Sequence, residues 1–104
     1  MNAVSIERIA VAADEAIPSQ PDRHPMYAKL RHHREMLIAG IVYEMAYRKP
    51  SYPEIASVVG CVHTTAMKYL ELWREMPWQD RYGWLRLVEG RLNRETNTLD
   101  AALL

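Results

Sequence analysis

The chain has 104 residues, 13 basic and 13 acidic side chains, and hydrophobic residues make up 49% of it, which suits one folded domain with a modest core and argues against a disordered chain. No apolar run approaches the roughly 20 residues a membrane span needs, and Glu7, Asp14 and Glu15 fall where the apolar stretch of an export signal would lie. A single cysteine, Cys61, excludes an internal disulfide and suits a reducing compartment, so the expected location is the cytoplasm.

In chain order, Ile6, Ile9, Ala10, Ala13 and Ile17 share one helical stripe, predicting a short amphipathic helix over Ser5–Ile17. Pro18, Pro21 and Pro25 then mark a stiff connector. Pro25 suits the first turn of a long helix running to about Arg48, with Met26, Leu30, Leu37, Ile38, Ile41, Val42 and Met45 inward; a break near His32–Arg34 is an equal alternative. Gly40 inside this helix points to close packing or a bend. Arg48-Lys49-Pro50 ends it.

Ser51-Tyr52-Pro53-Glu54 spells a capping box, in which the Ser51 hydroxyl and the Glu54 carboxylate satisfy each other's backbone amides. The short helix it opens turns Ile55, Val58 and Val59 inward and stops at Gly60. A second helix runs from about His63 to Met76, with Ala66, Tyr69, Leu70 and Trp73 apolar, and Pro77 closes it. A further helix is expected over Trp78–Leu92, with Trp78, Tyr82, Leu85, Val88 and Leu92 inward. Trp73, Trp78 and Trp84 read as core residues rather than a stacking platform. Residues 93–104 read as a flexible tail, although Leu99, Leu103 and Leu104 could dock. No strand-like alternation occurs. The expected fold is all-α: an N-terminal helix and connector over 1–22, a helical domain over 23–92, and the tail.

The charge is unevenly spread. Residues 1–22 carry one basic side chain against four acidic, net −3; residues 23–74 carry eight against four, net +4; residues 75–104 carry four against five, net −1. A basic middle is what phosphate attraction requires, and also what a solvated helix surface can show by chance. Within that middle, two short helices joined at a glycine form the pattern of a helix-turn-helix over 51–76. His63, Thr64 and Thr65 open its second helix, where side chains of that motif reach base edges in the major groove. Thr64 and Thr65 would otherwise serve as helix caps.

The stretch from Tyr52 to Lys68 resembles the C-terminal DNA-binding domain of the bacterial replication initiator DnaA. Pro53, Glu54 and Ile55 match that family's Pro-Glu-Ile-Gly pattern, and His63, Thr64 and Thr65 its Gly-Arg-Asp-His-Thr-Thr-Val signature. Arg34-Glu35-Met36 is similar to the segment whose arginine meets phosphate. The resemblance covers roughly residues 30–76 and implies a Trp-repressor-like, all-helical fold that recognises double-stranded DNA in replication or transcription, with nucleoid association. The candidate contact residues are Arg31, Arg34, Lys49, Ser51, Tyr52, His63, Thr64, Thr65 and Lys68. The sequence departs from the family at Val62, where an acidic base-contacting residue is expected, which implies an altered target preference. Its turn is one residue shorter, its Arg48–Ser51 connection longer, and it has no phosphate-binding loop of the Walker A type, so no nucleotide-driven activity is expected.

Metal binding is not expected, because adjacent His32 and His33 diverge by about 100° on a helix and, with His24, lack partners at ligand spacing. Cys61 reads as a buried or half-buried turn residue rather than a reactive thiol. No catalytic arrangement is present, so the chain reads as a non-enzyme without a cofactor. The rival is a protein-interaction adaptor of the same fold that has lost DNA binding, with a protein partner or self-association through the N-terminal helix.

Overall fold

A computed structural model describes the backbone of residues 4–19 and 26–103, and the side chains of 4–19, 26 and 29–94. The described residues form five α-helices and no strand: α1 (Ile6–Ala16), α2 (Tyr27–Met45), α3 (Tyr52–Val59), α4 (His63–Glu75) and α5 (Trp78–Leu103). Pro21, Arg23, His24, Pro25 and Leu104, and the side chains of Leu99 and Leu103, lie outside the described residues.

The chain organises around α2. Residues 36–42 are buried in an unbroken run, so this middle stretch of the helix is enclosed on all sides, as its apolar circumference demands. It is continuous through His32–Arg34. It stops at Met45 rather than Arg48, because Ala46 turns to extended backbone (ψ 138°) and leads into the buried Pro50; the residue before a proline disfavours helix, and proline offers no amide. Met26, expected inside, is 47% exposed at the N-cap, one residue before the helix begins.

Helix α1 lays Ile9, Ala10, Ala12 and Ala13 against the core and starts on a Ser5 cap, whose hydroxyl accepts from the Arg8 amide at 3.2 Å. Ile55 and Ala56 of α3 are buried, while Val58 and Val59, expected inward, are only partly so; in α4 Ala66, Tyr69, Leu70 and Trp73 are buried, the set the apolar spacing predicts. Helix α4 runs alongside α2: Tyr69 meets His32, Trp73 packs at Gly40, and the Arg74 guanidinium lies 5.4 Å from the centre of the Tyr43 ring.

Helix α5 departs most from expectation. Its backbone stays helical from Trp78 to Leu103, through the segment read as a flexible tail. Val88 and Leu92 are buried, and Leu85 and Trp84 are partly buried against the core. Trp78 and Tyr82, expected inside, are 55% and 47% exposed. They sit at the start of the helix, where Arg81 stacks on the Trp78 ring and pairs with Glu44 at 3.6 Å, so cation–π contacts replace burial.

Candidate nucleic-acid interface

Helices α3 and α4 are joined by Gly60, Cys61 and Val62. The capping box forms as its residues require: the Glu54 amide donates to the Ser51 hydroxyl at 3.3 Å, and the Glu54 carboxylate accepts from the Ser51 amide at 3.0 Å. That amide, and next the Ser51 hydroxyl, hold the Glu54 carboxyl below the usual carboxylate range. At the other end Gly60 takes φ 89°, the left-handed region that favours glycine. The Gly60 and Cys61 amides both donate to the Ala56 carbonyl, at 2.8 and 3.0 Å, which closes α3 and reverses the chain. Cys61 is half-buried, and burial and then the nearby Glu35 charge raise its thiol pKa.

Val62 is the N-cap of α4 and is 65% exposed. It has no side-chain oxygen, so no N-cap side chain serves the amides of the first turn. His63, Thr64 and Thr65 occupy the first three helical positions rather than the cap, and His63 and Thr64 are exposed while Thr65 is half-buried. Lys68 is exposed one turn on. The outer face at this end of α4 therefore carries short hydrogen-bonding side chains, an imidazole, an ammonium and uncapped amides.

The remaining candidate residues do not all converge there. Arg31 is on the same side: it approaches Glu35 at 3.9 Å with its side chain 53% exposed, and Glu35 in turn accepts from the Tyr69 hydroxyl of α4 at 2.7 Å. Lys49 lies toward the far end of α4, where its ammonium stands 4.4 Å from the centre of the Tyr43 ring that Arg74 also faces, and it donates to the Tyr43 carbonyl at 3.3 Å. Ser51 and Tyr52 follow Lys49 closely in the chain, and the Ser51 hydroxyl is committed to the capping box. With a rise of about 1.5 Å per residue, the first and last turns of a helix this long are well over 10 Å apart.

Arg34 requires a correction. The resemblance implied a phosphate ligand, but the Arg34 side chain turns onto the end of α1. Its guanidinium pairs with the Asp14 carboxylate at 2.8 Å and donates to the carbonyls of Asp14 and Ile17, so it ties the end of α1 to α2. Arg91 of α5 pairs with Glu15 at 2.7 Å in a similar way. The acidic N-terminal segment thus neutralises part of the basic excess within the molecule, and the uneven charge of the sequence is in part a record of helix docking.

Sequence reading also missed a three-residue relay. Tyr69 is only 4% exposed, its hydroxyl donates to Glu35, and His32 Nδ1 lies 2.9 Å from the same oxygen. Because that hydroxyl hydrogen is given to Glu35, Nδ1 must be the donor to Tyr69. Burial, reinforced by the Glu35 carboxylate, raises the Tyr69 pKa. The signal in the sequence was a tyrosine on a buried stripe, since such a hydroxyl needs a partner; the identity of the partner, more than 30 residues away, was not legible. Among the described residues no group of three His, Cys, Asp or Glu side chains could hold a metal ion, and no helix is long and apolar enough to cross a membrane.

In comparisons with known protein families, curated proteins and solved structures, the chain matches none.

Proposed function

We propose that the chain binds double-stranded DNA through a helix-turn-helix made of α3, the Gly60–Val62 turn and α4, in the manner of the DnaA C-terminal domain it resembles. It would act as a regulator of replication or transcription and not as an enzyme. The observation that carries this reading is the start of α4: His63 and Thr64 stand exposed behind a left-handed glycine turn, on a helix whose first amides have no side-chain cap. Short side chains there reach base edges, and uncapped amides suit a phosphate oxygen. Arg31 and Lys68 supply positive charge on that side, while Lys49 would meet only a duplex long enough to follow α4 to its far end.

A second reading, a protein-binding adaptor, draws support from the engagement of Arg34 by Asp14 and from the exposed Val62 in place of an acidic residue. Selection of bound sequences from a random duplex pool, together with a salt titration, separates the two. DNA binding requires affinity that falls steeply with salt and a consensus that weakens or changes in His63→Ala and Thr64→Ala. Salt-independent or undetectable duplex binding overturns it.

A further inference from the structure

We infer that α5 pairs with α5 of a second copy of this chain, antiparallel and crossing at Leu87. Leu87 is 44% exposed, beside an open groove of about 660 Å³ lined by Met76, Gly83 and Trp84 on one side and His33 of α2 on the other. Gly83 and Gly90 lie on the same outer arc of the helix, at offsets of four and three residues from Leu87. Among the described residues, a Cβ added at either would meet nothing within 4 Å. Packing among the described residues therefore does not require glycine at these two helical positions, in contrast to Gly40, which lies against the Trp73 ring.

The sequence of this arc is complementary to itself in only one direction. In an antiparallel pair centred on Leu87, each residue faces the one equally distant on the other side. Leu87 meets Leu87, the half-buried Trp84 meets Gly90 of the second copy, and Asp80 meets the second copy's Arg94, whose Nε also donates to the Gly90 carbonyl of its own chain at 3.4 Å. The large ring thus lies over the position without a side chain, and opposite charges oppose. A parallel pair would set Asp80 against Asp80, Arg94 against Arg94 and ring against ring. Charge and shape together select a second copy, reversed, as the occupant of this face. The inference concerns α5 and does not depend on what α4 binds; if both hold, the assembly presents two α4 N-termini and its DNA target contains two half-sites.

Sedimentation equilibrium of the full chain without DNA tests the pairing. The expected result is a mass rising with concentration from 12.1 kDa toward twice that value. Leu87→Glu and Gly90→Gln should hold the mass at the lower value with unchanged helical circular dichroism, since neither position supports the core of one copy. Asp80→Arg should weaken association, and Asp80→Arg combined with Arg94→Asp should restore it. A wild-type mass of 12.1 kDa at every concentration overturns the inference, as does a dimer indifferent to Leu87→Glu and Gly90→Gln. Failure of the paired charge reversal to rescue overturns the antiparallel register.

Discussion

Gly40 of α2 lies directly beneath the indole of Trp73 in α4, so close that any Cβ at position 40 would overlap the ring. Trp73 is fully buried and is the largest side chain of the core. The absence of a side chain at one position and the presence of the largest at the other bring α2 and α4 together, and α4 is the helix that carries the candidate interface. The Trp73 indole Nε1 is buried without a hydrogen-bond partner among the described residues, so packing is what holds the ring there.

Gly40→Ala is accordingly expected to destabilise the protein by about 1–3 kcal/mol, because the overlap outweighs the gain of about 1 kcal/mol that alanine brings to an ordinary helix interior. Chemical denaturation measures it, and an increase in stability would mean that the two helices separate easily.

Gly60→Ala tests a different glycine by a different mechanism. Nothing among the described residues stands within 4 Å of its Cβ position, but its φ of 89° is unfavourable for an L side chain. A loss of roughly 1–2 kcal/mol is expected, with Gly60→Asn milder. Equal stability of the alanine variant would place the turn in another conformation.

Ser51→Ala should cost about 0.5–2 kcal/mol, the range for a lost N-cap. The Glu54 carboxyl, with its pKa depressed in the folded state, contributes stability above the unfolded carboxylate pKa of about 4.3, lost as pH falls through the folded value. Stability against pH should therefore show a shallower acid limb in Glu54→Gln than in the parent.

The sign is opposite for Tyr69. Its pKa is raised in the folded protein, so its contribution is complete below the unfolded phenol pKa of about 10 and declines as pH rises above it. Tyr69→Phe should remove this alkaline component. At neutral pH it should also cost roughly 1.5–3 kcal/mol, because the Glu35 carboxylate loses the hydrogen bond it accepts from the Tyr69 hydroxyl.

Arg34→Ala and Lys68→Ala should separate structure from binding. Loss of Arg34 frees α1 and lowers thermal stability while leaving the salt dependence of duplex binding unchanged. Loss of Lys68 leaves folding intact and reduces the salt slope by about 1. Equal slopes for Lys68→Ala and the parent would remove that side chain from the phosphate contacts.

Val62→Asp places a carboxylate at the N-cap of α4, where valine caps nothing. Thermal or chemical unfolding should show a gain of about 0.5–2 kcal/mol, and sequence selection a shift in the preferred duplex. A stability gain without any shift would make position 62 a cap and not a reader.

Much of the architecture was written in local pattern. Apolar spacing placed α1, α3 and α4 to within about a residue, Ser51 and Glu54 marked a helix start, and Gly60 its end, because capping and periodicity depend on residues only three or four apart. The sequence by itself therefore determined an all-helical chain, the α3–Gly60–α4 connection, and His63, Thr64 and Thr65 at the head of a helix. Tertiary structure alone decided which polar groups remain available to a ligand. Arg34 and Arg31 are both arginines on one helix, yet α1 occupies the first and leaves the second half-exposed; Tyr69 finds His32 and Glu35 across more than 30 residues; and Trp78 and Tyr82 stay outside although their spacing matches the buried Leu92. Those outcomes depend on which helix packs against which, and contacts between residues far apart in the chain leave no periodic trace in the sequence.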